Sequence, residues 1–265
     1  VTIEETGGKI QHGYGGKINT ISIPFKGGPL TIEKGVNSFS SKLKLSKFTV
    51  STSNNDDGIV TFVAGAVHDI SEIVITSGEL RYNNGVAYEN TSPCPVKVKG
   101  GMLRVDNFNF EKNYIVLEGG QIYSSQDNGF VTNLIYNSGS VRVPFNTTEN
   151  RPRMVTVLGN ISGISKDNPL KLSSDIWPAS STASKSFRVI AIPTSDLAVT
   201  WDMFDLSDID FDDKTKRLQG SIVIENGMQY LEVVQADKAH ITLLEGDAGF
   251  AATTSFNGCP NQWSN

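Results

Sequence analysis

The chain has little of what most functional classes need. Among its 265 residues there are two cysteines, Cys94 and Cys259, and three histidines, His12, His68 and His240. The cysteines show neither the CxxC spacing of a zinc or redox site nor the density of a disulfide scaffold. They stand near opposite ends of an elongated fold, which argues against their pairing. No two histidines have metal-ligand spacing. Charged residues make up only 19%, and the balance of 28 acidic against 23 basic side chains leaves a net charge of -5 without a Lys/Arg-rich block. That removes the electrostatic footprint of nucleic-acid binding. The apolar runs are all far short of the roughly 20 residues that a membrane-spanning helix needs. Across residues 1–165 there is no capped amphipathic helix pattern. With Val1 at its start and no basic-then-apolar leader, the chain reads as a processed product or a fragment.

What is abundant is glycine, 25 residues of it, among many Ser, Thr and Asn. The glycines sit in a recurring unit in which a short alternating apolar run is followed by one or two glycines and a second alternating run. Ile73-Val74-Ile75 precedes Gly78-Glu79-Leu80-Arg81-Tyr82, and Val96-Lys97-Val98 precedes Gly100-Gly101-Met102-Leu103-Arg104-Val105. Ile115 to Leu117 precedes Gly119-Gly120-Gln121-Ile122-Tyr123, and Leu134 to Tyr136 precedes Gly139-Ser140-Val141-Arg142-Val143. Ile21 to Ile23 before Gly28-Pro29-Leu30-Thr31-Ile32 looks like an earlier copy, with Gly8 and Gly227 marking outlying ones. The marker glycines at 78, 101, 120 and 139 give steps of 23, 19 and 19 residues. A period near 20 made of short strands and sharp glycine corners describes a solenoid whose single coils cannot bury their own inward faces. The expected fold is all-β, a parallel β-helix over 1–165, with continuing or capping strands over 166–245 and a linker over 246–265. Ser173 to Ser186 reads as a loop around Trp177-Pro178. The alternative is a β-sandwich, whose hairpins would use Asn-Gly or Asp-Gly turns. Asp57-Gly58, Asn84-Gly85 and Asn128-Gly129 exist but fall outside the marked bends. The interior should hold Ile10, Leu30, Leu80, Leu103, Ile122 and Val141.

The same register predicts an outward column of Gln11, Thr31, Arg81, Arg104, Tyr123 and Arg142 with one residue per coil. Such a column suits an anionic or glycan chain through bidentate hydrogen bonds and ring stacking, or else a solvated face whose cations pair with acids on neighbouring strands. Asp208-Ile209-Asp210-Phe211-Asp212 puts three carboxylates on one side of an extended strand, where they offer a calcium site or an acidic edge that blocks association. Asp213 stands where a calcium-binding helix-loop-helix needs Gly. His68-Asp69 resembles two thirds of a catalytic triad, but no Gly-x-Ser-x-Gly elbow supplies the nucleophile. Acids of the ordered repeats do not recur at a shared coil position as a polysaccharide lyase or hydrolase would need.

Gly28-Pro29-Leu30-Thr31-Ile32-Glu33 followed by Asn37-Ser38-Phe39 and Lys42-Leu43-Lys44-Leu45 resembles the repeat unit of the bacterial autotransporter-associated β-strand repeat proteins. Leu197 to Leu218 is similar to the segment that closes such a module. Thr254 to Asn257 with Trp263-Ser264-Asn265 resembles the opening of a next one. The resemblance implies a β-helical stalk of a large secreted or surface-anchored protein, non-enzymatic, structural or adhesive, with neighbouring copies or modules and glycans as partners. On that view the 246–265 tail, through Phe256 and Trp263, packs on a neighbouring module. A carbohydrate-active β-helix enzyme is the rival reading.

Overall fold

A computed structural model of the chain describes residues 3–5, 8–10, 18–53, 58–83, 86–90, 92–106, 113–125, 129–131, 133–194 and 197–238. The chain winds as a three-faced parallel β-helix. The first coil carries β1 (Ile3–Glu5), β2 (Gly8–Ile10) and β3 (Ile18–Ile21), and the second β4 (Phe25–Gly27), β5 (Leu30–Ile32) and β6 (Val36–Phe39). The third has β7 (Lys42–Leu45), β8 (Phe48–Ser51) and β9 (Ile59–Phe62); the fourth has β10 (Val67–Ile70), β11 (Ile73–Ser77) and β12 (Glu79–Tyr82). The fifth has β13 (Ala87–Tyr88), β14 (Cys94–Val98) and β15 (Met102–Arg104). In the next two coils the second and third faces run together through their shared corner, as β16 (Asn113–Tyr123) and, after β17 (Gly129–Val131), as β18 (Leu134–Arg142).

Beyond that point lie an antiparallel pair, β19 (Phe145–Asn146) and β20 (Arg151–Pro152), then β21 (Val155–Val157), β22 (Ile161–Ser162) and β23 (Leu170–Ser173). A short helix α1 (Ala179–Thr182), β24 (Ser186–Pro193), a 3-10 turn at Trp201–Met203, β25 (Phe204–Asp208), β26 (Lys216–Glu225) and β27 (Met228–Asp237) complete it. Parallel pairing holds through the coils, with β25 still stacked on β23. The sandwich alternative is therefore excluded. Antiparallel order enters at the end, where β24 pairs with β27 and β27 with β26.

Alternation decides what is inside. Leu30, Leu80, Leu103, Ile122 and Val141 are all buried, as the glycine register requires, while the side chain of Ile10 lies outside the described residues. The columns fill with like residues. Phe39 lies 6.0 Å from Phe48 and 5.2 Å from Phe62, and Phe62 lies 5.2 Å from Tyr82, so one aromatic stack runs from the second coil to the fourth. Near the other end Trp177 is fully buried among Phe145, Phe187 and Phe211, and its indole N–H donates to Ser174 Oγ at 2.7 Å. The stretch expected as a loop is thus anchored in the core and holds a helical turn, because the indole finds apolar rings on three sides and its polar atom finds a hydroxyl.

Three readings of the glycines are corrected by the register. Gly58 belongs to the marker ladder, since Ile59 pairs with Glu79 in the next coil, so the true series is 58, 78, 101, 120 and 139. The Gly28 unit sits at a different corner: Leu30 and Thr31 pair with Phe48 and Thr49 on the second face. Gly227 marks no coil, because Asn226 and Gly227, with φ of 50° and 75°, close the two-residue hairpin between β26 and β27. That turn matches the strand twist and favours Asn-Gly.

Candidate contact surface on the third face

At the corner between the second and third faces the stacked coils leave no room for a Cβ. A Cβ on Gly101 would lie 2.6 Å from the carbonyl oxygen of Gly78, and one on Gly120 2.4 Å from that of Gly101. With no side chains at this corner, the outward side chains of the third face stand around a shallow groove of about 1010 Å³ floored by Gly100, Gly101, Gly119, Gly120 and Gly139.

Two outward columns line it. The first follows directly after the marker glycines: Glu79 pairs with Met102, Met102 with Gln121, Gln121 with Ser140 and Ser140 with Lys171. The second is the expected ladder over its last four members. Leu80 pairs with Leu103, placing Arg81 and Arg104 one step on in adjacent coils, and Arg104 pairs with Tyr123, Tyr123 with Arg142, Arg142 with Ser173 and Ser173 with Asp208. Thr31 is not part of it, being on the second face, and Gln11 lies outside the described residues. Glu79, Gln121 and Lys171, absent from the expected site, were within reach of the same alternation, since residues two apart on a strand share a face.

The cations are bound by acids of their own. Arg81 grips Glu79 with two bonds, 2.5 and 3.0 Å long. Arg142 Nη2 lies 2.6 Å from Asp175 Oδ1 in the following coil. Arg104 donates to Asp106, whose carboxylate is 1% exposed and also accepts from Ser124 Oγ and Ser125 N at 2.7 Å each and from Ser125 Oγ at 2.5 Å. Burial alone would raise this carboxyl, but the Ser125 and Ser124 hydroxyls, Arg104 and the Ser125 N–H together hold it below its ordinary value. Of the two outcomes weighed from sequence, ion pairing is what these three arginines show, with partners on the same strand or the next coil.

Tyr123 lies between guanidinium groups of the coils on either side, 5.9 Å from Arg104 and 5.8 Å from Arg142. Those groups occupy the ring's stacking positions. Burial and then the Glu79 carboxylate raise the phenol above its ordinary value, so the hydroxyl remains a neutral donor. Beside it Gln121 Nε2 donates to Ser140 Oγ at 3.1 Å and to Ser173 Oγ at 2.9 Å. The groove is a charge-compensated surface of amide, hydroxyl and guanidinium donors in rows one coil apart, about 4.8 Å.

The acidic run keeps the expected alternation, with Asp208, Asp210 and Asp212 exposed and Ile209 and Phe211 buried between them. The carboxylates have separate tasks. Asp210 pairs with Lys214 at 3.0 Å, Asp212 Oδ1 accepts from Ala179 N at 2.7 Å at the start of α1, and Asp208 borders the groove. Among the described residues no group of three such side chains comes together to hold a metal. His68 is no triad member: it is buried against Phe62, 4.2 Å away, and both ring nitrogens lack a hydrogen-bond partner, while Asp69 faces out to Lys44 at 3.0 Å. Cys94 is buried, and desolvation pushes its thiol up to about 12. Cys259, Phe256 and Trp263 lie outside the described residues. No described helix is long and apolar enough to cross a membrane. Comparison with known proteins finds no matching family model, curated protein or solved structure.

Proposed function

We propose that the chain is a non-enzymatic structural or adhesive module of a large repetitive extracellular or cell-surface protein, a rigid β-helical spacer whose third face contacts glycans. The observation that carries the reading is the composition of the groove. Its donors are spaced by the coil repeat, and the two arginines that line it, Arg81 and Arg142, are already paired with Glu79 and Asp175. A surface of this kind suits a polyhydroxylated chain, which needs many neutral or compensated hydrogen bonds and little net charge. The extracellular setting and the neighbouring modules rest on the resemblance of Gly28 to Leu45 to autotransporter-associated repeats.

Immobilised polysaccharides of defined composition, neutral and uronic, test the reading. Retention by the native chain should fall at least tenfold in a Gln121→Ala/Arg142→Ala double variant and stay unchanged in Lys44→Ala, which alters the first face. No retention on any polysaccharide overturns the glycan part. Release of shortened chains from the polysaccharide overturns the non-enzymatic part in favour of a carbohydrate-active enzyme.

A further inference from the structure

β26 is the outermost strand of the sheet β17-β21-β24-β27-β26, and among the described residues β27 is its one neighbour. In an antiparallel ladder successive residues alternate between bonding their partner and pointing their backbone groups the other way. The tight hairpin pairs Glu225 with Met228, and Lys238 N donates to Thr215 O at 2.6 Å, so the odd-numbered residues of β26 bond β27. The N–H and C=O groups of Leu218, Gly220, Ile222 and Ile224 therefore point to the outer edge, a template for adding a strand. The strand opens on Lys216-Arg217 and closes on Glu225, opposite charges at opposite ends. Ile224, beside this edge, is 69% exposed, more than any other large apolar side chain among the described residues.

We propose that β26 pairs with β26 of a second copy of this chain, antiparallel, about a two-fold axis at Ser221. Symmetry restricts the choice. Pairs related by the axis must be of the same kind, bonded or non-bonded, and because the kinds alternate, the two residue numbers of every pair must sum to an even number. With Ser221 opposite Ser221 the sum is 442, and Arg217 faces Glu225 at both ends while Leu218 faces Ile224 twice and Gly220 faces Ile222 twice. Moving the axis to Gly220 sets Arg217 against Val223, and moving it to Ile222 sets Arg217 against Gly227. Only the Ser221 axis of these three joins the opposite charges and covers Ile224 with an apolar side chain. Glu225, now 2.6 Å from Arg188, would be shared between two arginines. The joined edges make one continuous sheet of two five-stranded halves. This pairing lies on a different sheet from the groove and does not depend on it.

Light scattering of the full chain should give twice 28.7 kDa, and Ile224→Lys, which sets a charge at the edge, should return it to 28.7 kDa. Cross-linking then reads the register. In a Cys259→Ser background, with Cys94 buried, Ser221→Cys should give a disulfide-linked dimer on mild oxidation, because residues opposite each other in a non-bonded pair have Cα atoms about 4.5 Å apart. Gln219→Cys and Val223→Cys should not. A full chain that stays at 28.7 kDa overturns the proposal, including the case in which removing residues 239–265 produces the dimer and so assigns the edge to the chain's own tail. A dimer that cross-links through Gln219→Cys or Val223→Cys and not Ser221→Cys overturns it too.

Discussion

The Cβ that Gly139 lacks would sit 2.3 Å from the carbonyl oxygen of Gly120 in the coil beneath. This contact is with backbone, so no side-chain rotation relieves it, and at Gly139 the φ of 100° adds a conformation that side chains rarely adopt. Gly139→Ala should therefore destabilise the chain by roughly 1–3 kcal/mol through overpacking, with a further 1–2 kcal/mol from backbone strain. Urea unfolding followed by circular dichroism measures it. Gly65→Ala is the comparison, since its φ of 92° is similar but its nearest neighbour would be 3.9 Å away. Equal losses in the two variants would mean that the close approach between coils contributes nothing.

Leu103 illustrates the opposite defect. It is fully buried, paired with Leu80 below and Ile122 above. Leu103→Ala should cost about 2–5 kcal/mol, because coils fixed by ladder hydrogen bonds on two sides cannot collapse into the void. Thermal and urea unfolding of the variant check the figure.

The interior register from Leu80 to Val141 was legible in the sequence because coils of 23 and 19 residues there repeat with a glycine at the same corner each time. The earlier coils were not, since between Val50 and Ile59 the corner carries an insertion and a single glycine, Gly58, preceded by Asp57 in a pair that also signals a hairpin. The hairpin that ends the sheet carries its own signal in Asn226-Gly227, a dipeptide such turns favour, although Gly227 also fits the glycine-then-alternating-run pattern of the coils. For the groove, alternation located the Arg/Tyr column but gave no account of pairing. That Arg104 turns to Asp106 depends on the Ser124-Ser125 corner of the next coil, a contact between positions 18 and 19 residues apart. The burial of His68 follows from its pairing with Leu43 and Tyr88 on the first face, a register with no glycine to mark it.

Two arginines of the ladder, Arg104 and Arg142, should respond differently to removal. Arg104→Ala leaves the Asp106 carboxylate, 1% exposed, without its cation, and should cost roughly 1–3 kcal/mol despite the remaining hydroxyl and N–H donors. Arg142→Ala breaks a pair whose acid is 63% exposed and should cost less than about 1 kcal/mol. Chemical denaturation of both variants at the same pH gives the comparison. The order reversed would mean that Asp106 draws its stability from Ser124 and Ser125 alone.

His68 should make the chain sensitive to acid well above the range where carboxylates titrate. Its ring is buried among Phe62, Tyr82 and Tyr88, and desolvation lowers its pKa from 6.5 to about 3. The phenol of Tyr82 and the thiol of Cys94 are pushed upward by the same burial, so both stay neutral and neither stabilises an imidazolium. Below pH 6.5 the unfolded chain takes up a proton that the folded chain refuses, and stability is lost progressively from there to about pH 3, below which both states are protonated. The loss should reach about 2 kcal/mol at pH 5 and about 4 kcal/mol at pH 3. Between pH 6.5 and 5 the carboxylate of Asp106, held below its ordinary 3.8, remains ionised folded or unfolded, so that interval isolates the histidine. His68→Leu keeps the site apolar and carries the same His12 and His240. Unfolding free energies from urea titrations at pH 7.5 and 5 should therefore differ in the native chain by about 2 kcal/mol more than in the variant, and equal differences would show that His68 is not held neutral by burial.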